Sequence, residues 1–324
     1  MPSFTKLFYR VKMFFAKKEK TIKDFVPEYL KWYRVTYRSG SYQNVELILR
    51  IFLKYLKTCK NIYGEPVMFL NEITELHIEH YKIYKQKVNP KINAITLNNN
   101  ISAIKVMFRK ACAWGYIAKS PAENILQLKT IKAQPRALTN EEVKRAIQTA
   151  ASAEYLGACH AMIVIAYYTG FRFGEIYNLQ WQDIDFEKKL ISVNPKKDFI
   201  PKNGVALTIP LSAHLEKFLL LLPRWEHTYI VANSTGKRFT SQTVRAKLRK
   251  VFDEAGLPDV SLHKLRHTFA SHLAWQAVPM DNIKDLLGHS STAITNRYRH
   301  IAPSYLAGSI NLLPDLLQKK ETAD

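Results

Sequence analysis

Helical spacing of apolar residues runs through most of this 324-residue chain, and strand-like segments are confined to one stretch. Apolar side chains recur every three or four positions over residues 21–128, 139–169 and from 240 onwards, as they do on one face of a helix. Short β-prone runs at 190–193, 206–211 and 229–232 are separated by turns. The pattern predicts a mainly α fold with one small antiparallel sheet, an α+β architecture.

A polar and basic segment containing a proline, KTIKAQPRA at 129–137, is typical of a linker. Before it, four predicted helices, at about 21–39, 45–56, 74–87 and 97–114, make a small bundle. After it, Thr139 and Glu142 fit a capping box that opens a new helix. The sequence therefore predicts a basic N-terminal arm (1–20), a helical domain (21–128), the linker (129–137) and a second domain (138–324). The arm is either an amphipathic segment that lies on DNA or a neighbouring subunit, or a frayed tail.

Positive charge is concentrated in the first domain. The chain has 48 Lys and Arg against 27 Asp and Glu, a net charge of +21, and residues 1–134 hold 24 basic and 9 acidic side chains. Basic residues lie on the predicted outer faces of the bundle: Lys54, Lys57, Lys82, Lys85, Lys105, Arg109 and Lys110. This charge favours a polyanion such as DNA as partner, with binding that weakens as salt rises. A merely solvated basic surface is the alternative.

The cysteine spacing and the hydropathy pattern indicate the cellular compartment of the protein. The three cysteines, Cys59, Cys112 and Cys159, are far apart and form no CxxC pair, which is typical of thiols in a reducing compartment. The longest apolar run, residues 161–168, is much shorter than a membrane span, and the N-terminus lacks the features of a cleavable signal. We expect a cytoplasmic, DNA-associated protein without membrane contact.

Four side chains suited to phosphate chemistry fall close together near the C-terminal end. His263 and Arg266 stand three positions apart and so share one helix face. Gly288 can take the left-handed conformation that ends the following helix, which puts His289 on a tight turn. A serine after that turn can cap a last helix that carries Tyr298.

Three more residues extend this set. Arg172 follows a glycine turn at a helix start, where backbone N–H groups and a guanidinium can both address an anion. Glu175, one turn on, can orient a neighbouring donor, and Lys202 lies in the turn before the strand ALTIPL. The amphipathic helix predicted over 240–252 has a basic face made of Arg245, Arg249 and Lys250. This face either contacts DNA or is simply exposed to solvent.

Other interpretations apply to single residues. His263 and His267 have the spacing of zinc ligands, but Lys264 stands where a metalloprotease helix has glutamate, so we interpret His267 as a packing or supporting residue. Asp183 and Asp185 could indicate a metal nuclease, yet their context favours a strand entry with solvated acids. Arg172 alone could form a helix-end ion pair, and Lys202 could be an ordinary hairpin lysine. We expect neither a metal nor a cofactor.

Taken in order, these motifs resemble the tyrosine recombinase, or phage integrase, family. The resemblance rests on TGFRFGE, Lys202 eight residues before Pro210, HKLRH, LGH, and a tyrosine nine residues after that last histidine. The segment LNNNISAIKVMFRKACAWGYIAKSPAENI is also similar to the end of that family's core-DNA-binding domain. The resemblance implies a C-shaped clamp on duplex DNA, formed by a four-helix core-binding domain and a catalytic domain.

The resemblance also implies how strands are cut and rejoined. Tyr298 would attack the scissile phosphodiester and form a 3′-phosphotyrosine, which conserves the bond energy for rejoining. Lys202 would protonate the leaving 5′ oxygen, and His263 would assist proton transfer at the tyrosine. No metal or nucleotide is required.

The remaining site residues would handle the phosphate. Arg172 and Arg266 would hold its non-bridging oxygens, and His289 would donate a hydrogen bond to it. Glu175 and His267 would hold these groups in position without contacting the phosphate themselves. The residues expected to contact DNA outside the site are Lys105, Arg109, Lys110, Arg245, Arg249 and Lys250.

The family also implies an assembly. Its C-terminal helix docks on a neighbouring protomer, which predicts a homotetramer on two duplexes; packing within its own subunit is the alternative. An accessory DNA-bending or directionality protein is a further candidate partner.

Two features depart from the family or separate its relatives. Leu207 stands where members often have a basic residue, and the N-terminal segment looks too short for a separate arm-binding domain, which favours an Xer-like or small mobile-element recombinase.

Two other functions are alternatives. A type IB topoisomerase shares the tyrosine chemistry, and a catalytically idle DNA-binding regulator shares the fold. HKLRH and LGH favour a recombinase over the first, and the intact set of six catalytic residues argues against the second.

Overall fold

The computed structural model describes residues 19–37, 39–130, 136–152, 157–222, 228–232 and 238–289. The described residues up to 130 belong to one compact unit, and those from 136 belong to a second. The predicted arm before residue 19, Tyr298 and the C-terminal helix lie outside the described residues. No helix within the described ranges is long and apolar enough to cross a membrane.

The first unit contains the four predicted helices within its described residues. They are α1 Ile22–Thr36, α2 Ser39–Leu56, α3 Glu75–Val88 and α4 Ala94–Ala113. Two starts are fixed by side-chain caps, because Thr21 Oγ1 accepts from the Asp24 N–H and Asn93 Oδ1 accepts from the Thr96 N–H at 2.7 Å. Helix α2 begins at Ser39 rather than at Val45, since polar residues ahead of its apolar stripe also take helical geometry.

Aromatic side chains fill the core of this unit. Phe25, Tyr29, Phe52, Tyr81 and Phe108 are all fully buried. The Phe52 and Tyr81 rings meet edge to face with centroids 5.1 Å apart. The hydroxyls of Tyr29 and Tyr81 are buried with no hydrogen-bond partner among the described residues, and burial raises the pKa of both phenols.

The second unit combines helices with a small sheet. Its described helices are α5 Asn140–Ala150, α6 Ala158–Thr169, α7 Phe173–Tyr177, α8 Ala213–Leu221, α9 Ser241–Glu254, α10 Leu262–Trp275 and α11 Met280–Leu287. Residues 161–166 of α6 are all buried, so this helix is covered on every side and forms the centre of the unit.

The predicted capping box at the start of α5 is confirmed. The Thr139 N–H donates to Glu142 Oε2 at 2.9 Å, and the Glu142 N–H donates to Thr139 Oγ1 at 3.2 Å. The next described residue toward the linker, Leu138, is fastened to α10. Its N–H donates to Thr268 Oγ1 at 3.0 Å and its carbonyl oxygen lies 2.8 Å from His272 Nε2, which must therefore carry a proton.

The sheet has three antiparallel strands in the order β1 Ile184–Asp185, β2 Leu190–Val193 and β3 Leu207–Pro210. The predicted strand at 229–232 was wrong, because within the described residues this segment makes a single bridge, between Gln180 and Tyr229. The Ile230 N–H donates to the Leu179 carbonyl oxygen, so the segment bonds to the loop before the sheet rather than to its edge. The small antiparallel sheet is confirmed with a different third strand.

Asp183 was also wrongly predicted to be solvated. It is 4% exposed and accepts hydrogen bonds from the Gln180 N–H at 2.8 Å and from Lys196 Nζ at 2.6 Å. A buried carboxylate requires such partners, so this aspartate fixes the loop that enters β1. Asp185 is less buried and accepts from the Lys188 N–H at 2.8 Å.

Candidate active site

A cleft of about 580 Å³ in the second unit brings three predicted catalytic residues together. Arg172, Lys202 and His263 line it, although they come from the start of α7, the β2–β3 connection and the first turn of α10. Two predicted DNA contacts, Arg245 and Arg249, line it as well. None of the described lining residues is acidic, so the cleft is suited to an anion.

Arg172 is held in place by Glu175. The buried carboxylate accepts from the Arg172 backbone N–H and from its Nη1, each at 2.7 Å. This reciprocal bonding caps α7 and fixes the guanidinium with a charge-assisted bond. The turn before it needs Gly170, whose φ is +65° and whose Cα hydrogen faces Phe269 so closely that a Cβ would lie 2.6 Å from that ring.

Arg266 is 2% exposed and is not among the residues that line the cleft. Its Nη1 donates to the Gly170 carbonyl oxygen at 2.6 Å, and its Nη2 donates to the Leu287 carbonyl oxygen at 2.7 Å. The guanidinium therefore connects the turn that precedes Arg172 to the turn that precedes His289. The sequence did not predict this bracing role, because the two carbonyls lie 96 and 21 residues away along the chain.

The turn at the end of α11 has the predicted geometry. Gly288 takes the left-handed conformation with φ +59°, and the His289 N–H donates to the Lys284 carbonyl oxygen at 3.0 Å. Asn203, which belongs to none of the sequence motifs, donates from Nδ2 to the Gly288 carbonyl oxygen at 2.5 Å. The β2–β3 connection is thereby attached beside His289. Tyr298 and the serines predicted to cap its helix lie outside the described residues.

His263 and His267 stack edge to face, with ring centroids 4.5 Å apart. His263 is exposed and lines the cleft, whereas His267 is half-buried and is not a lining residue. In the parts of the chain that the structure describes, no three His, Cys, Asp or Glu side chains are grouped as metal ligands would be. The role of His267 as a packing or supporting residue stays a prediction.

Helix α9 has the two predicted faces. Val244, Leu248, Val251 and Phe252 are buried, while Arg245, Arg249 and Lys250 are exposed. Arg245 lies over the Phe173 ring with its guanidinium carbon 3.6 Å from the centroid. A basic helical face therefore borders the cleft.

The predicted basic residues of the first unit occupy different environments. Lys105 and Arg109 line a second cleft, of about 740 Å³, whereas Lys110 is not among its lining residues and lies 4.0 Å above the Trp32 ring. Lys82 was wrongly placed on an exposed face: it is 9% exposed and donates to Glu79 and, at 2.7 Å, to the Leu126 carbonyl oxygen. Its charge is used internally and is not available to a polyanion.

Two family models match the chain. One, described as the phage integrase family, matches residues 136–304, and the other, described as a phage integrase SAM-like domain, matches residues 21–128. A tyrosine recombinase XerC-like protein of Caldanaerobacter subterraneus is 29% identical over 308 residues, covering 82% of this chain and 76% of that protein. A tyrosine recombinase XerC of Oceanobacillus iheyensis is 28% identical over 291 residues, covering 81% and 94%.

Solved structures share the fold. A lambda integrase dimer bound to a COC′ core site gives a TM-score of 0.69 at 20% identity, covering 93% of this chain and 82% of that chain. The Tn1549 transposon integrase in complex with transposon right end DNA gives 0.72 at 17% identity, covering 90% and 99%. A lambda integrase tetramer bound to a Holliday junction gives 0.71 at 20% identity, covering 91% and 81%.

Proposed function

The chain belongs to the phage integrase family and is a site-specific DNA recombinase, and we propose that it cuts and rejoins DNA through Tyr298 at the cleft of the second unit. The observation that carries this proposal is the convergence of Arg172, Lys202 and His263 on one cleft with no acidic lining residue among those described. Three elements distant in sequence supply these groups. A phosphodiester in this cleft would meet a guanidinium, an ammonium and an imidazole together.

We propose the following chemistry for the cleavage step. The Tyr298 oxygen attacks phosphorus, a new O–P bond forms, and the bond between phosphorus and the 5′ oxygen breaks. Lys202 gives its proton to the leaving 5′ oxygen, and the proton of Tyr298 passes toward His263. Rejoining reverses these steps, with the 5′ hydroxyl of the partner strand as nucleophile, so the phosphotyrosine conserves the bond energy and no metal or nucleotide cofactor is consumed.

Cleavage also requires that the negative charge on the phosphate be stabilised. Arg172 would neutralise a non-bridging oxygen, and Glu175 supports this by holding the guanidinium before substrate arrives. His289 would donate to the same phosphate. Arg266 remains a predicted phosphate ligand, and its bonds to Gly170 and Leu287 support the proposal because they keep the Arg172 and His289 turns in register.

We propose that both units contribute basic surfaces to the same DNA. In the second unit these are Arg245, Arg249 and Lys250 on α9, and in the first they are Lys105 and Arg109 beside their cleft, with Lys110 nearby on the same helix. Phosphate contacts of this kind position a protein on the duplex without reading its sequence. We further propose a tetramer on two duplexes in the cytoplasm, with an accessory DNA-bending or directionality protein as an additional partner.

Covalent trapping tests the proposal. The full-length protein is incubated in EDTA with nicked duplexes that carry its candidate attachment site, and an SDS-stable protein–DNA adduct is measured. We expect an adduct from the wild type and from Tyr305→Phe, a control in the same C-terminal stretch, but none from Tyr298→Phe. If the wild type binds this DNA yet forms no adduct with or without metal, the catalytic proposal fails and a DNA-binding regulator becomes the better interpretation. Relaxation of supercoiled DNA lacking the site would instead indicate a topoisomerase.

A further inference from the structure

The connection between β2 and β3 is long, and its two halves are held by different contacts. Its first half is fixed by Lys196, which is paired with the buried Asp183, and by Phe199, which packs near Gly174. The second half folds as a turn closed by the Gly204 N–H, which donates to the Pro201 carbonyl oxygen at 2.8 Å. Lys202 and Asn203 are therefore the two central residues of this turn.

Lys202 is exposed, and an exposed lysine in a turn has many accessible rotamers. A proton donor in the cleft must nonetheless be held within hydrogen-bond reach of its acceptor. The neighbouring Asn203 supplies a fixed point, because its amide donates to the Gly288 carbonyl oxygen at 2.5 Å, across 85 residues of sequence. Displacement of the turn's backbone from the turn before His289 would require this bond to break, so the bond limits the positions from which the Lys202 side chain can start.

A second contact supports the same attachment. Leu207, at the start of β3, lies against Gly288, and a Cβ at that glycine would come within 3.1 Å of a Leu207 methyl group. Arg266 holds the adjacent Leu287 carbonyl oxygen and the Gly170 carbonyl oxygen. One continuous set of contacts thus runs from the turn before Arg172, through the turn before His289, to the turn that carries Lys202.

We propose that Asn203 is a positioning residue, which holds Lys202 at the cleft by attaching the β2–β3 turn to the turn before His289. This inference rests on the proposed role of Lys202 as the proton donor to the leaving 5′ oxygen. Asn203 carries no charge and acts through Lys202. Its loss should therefore slow proton transfer to the leaving 5′ oxygen and leave the affinity for DNA unchanged.

A DNA substrate with a different leaving group separates the positioning of Lys202 from the other functions of the site. In a duplex with a 5′-bridging sulfur at the scissile phosphate, the P–S bond breaks and a thiolate leaves. Thiols have a pKa of about 8.5, far below that of an alcohol, so the sulfur departs without a proton from the protein. A defect that arises from a misplaced Lys202 disappears on this substrate, whereas a defect in the phosphate ligands or in folding persists.

The experiment measures the rate of adduct formation on the oxygen and sulfur substrates for the wild type, Lys202→Ala, Asn203→Ala and Thr208→Ala. Thr208→Ala is the matched control, because it removes an exposed hydroxyl that bonds Ser192 in the same hairpin but leaves the Gly288 contact intact. We expect Asn203→Ala to be slower on the oxygen substrate by about 10- to 100-fold, the range that a displacement near 1 Å can cause. On the sulfur substrate its rate should come within about threefold of wild type, as should that of Lys202→Ala, because no proton donor is needed there.

Each other outcome has a definite meaning. An Asn203→Ala rate equal to wild type on oxygen overturns the inference, and so does an equal loss on both substrates, which would place its effect on the phosphate or on folding. The same loss in Thr208→Ala overturns it too, since any loosening of the hairpin would then suffice. If the wild type forms no adduct on either substrate, the proposed function itself has failed. Asn203→Ser, which keeps a shorter donor, serves as the second variant if Asn203→Ala unfolds.

Discussion

Arg266 shows how one buried side chain can hold two turns of a site together. Its guanidinium is fully removed from solvent, and charged donors inside a protein are stable only when paired or hydrogen-bonded. The two carbonyl oxygens of Gly170 and Leu287 satisfy two of its N–H groups and, in doing so, set the distance between the Arg172 and His289 turns. Lysine could not replace it, because a single ammonium does not span two carbonyls in a planar fork.

Tyr81 gives a stability prediction in the first unit. Its hydroxyl is buried with no partner among the described residues, so it carries a desolvation penalty that a phenylalanine would not. We expect Tyr81→Phe to raise the free energy of unfolding by about 1 kcal/mol, measured by chemical denaturation.

Tyr116→Phe is the matched comparison, because its hydroxyl donates to Glu28 at 2.9 Å. That change should lower the free energy of unfolding by about 0.5–1.5 kcal/mol, the usual net contribution of one hydrogen bond. A destabilised Tyr81→Phe would show that the Tyr81 hydroxyl has a partner after all.

Single residues also mark the limit of prediction from sequence. The capping box of Thr139 and Glu142 was predictable because both partners lie within one helical turn. The bonds of Asn203 to Gly288 and of Lys82 to Leu126 were not, because their partners lie 85 and 44 residues away. The burial of Asp183 was missed for the same reason, because the lysine that neutralises it, Lys196, follows β2 in the chain.

At the scale of elements, the end of α6 depends on a glycine that two neighbouring helices enclose. Gly170 and Gly256 both have positive φ, +65° and +71°, but only Gly170 is crowded, by Phe269 and Leu287. Alanine at either position incurs the cost of a left-handed residue, roughly 1–2 kcal/mol. Gly170→Ala additionally forces α10 or α11 to move.

We therefore expect Gly256→Ala to lower the free energy of unfolding by about 1–2 kcal/mol without loss of adduct formation. Gly170→Ala should be destabilised by roughly 1–3 kcal/mol more, as overpacked cores are, and should also form adduct more slowly because Arg172 is displaced. Denaturant unfolding and the trapping assay measure the two effects. Equal destabilisation in both variants would contradict the tight packing of α6 against α10 and α11.

Elements were predicted better than their connections. Helix α9 and its buried stripe followed from local spacing, and so did β2 with both its ends and β3 apart from one residue at each end. The segment 229–232 has the composition of a strand, but it bonds to the loop at Leu179 and Gln180, and Ile184–Asp185 pairs with β2 instead. Strand propensity describes a segment that fits a half-buried surface, and it does not determine which partner is present.

For the whole molecule, the net charge of +21 predicts a steep dependence of DNA binding on salt. Each phosphate contact contributes roughly 0.9 to the slope of log affinity against log salt. We expect Arg245→Ala combined with Arg249→Ala to lower that slope by about 2, measured by fluorescence anisotropy at several salt concentrations. Lys188→Ala, an exposed lysine paired with Asp185, is the control and should leave the slope unchanged. An unchanged slope in the double variant would exclude α9 from the DNA contact.

The fastening of Leu138 to α10 has a mechanical consequence. Thr268 and His272 hold both backbone groups of that residue, so Leu138 is fixed to the helix that carries His263 and Arg266. A displacement of Leu138 would therefore act on the middle of that helix, and the Tyr167 hydroxyl, 3.1 Å from His272 Nδ1, connects the same contact to the central helix α6. A pull on Leu138 would thus reach the helix that carries His263 before any other element.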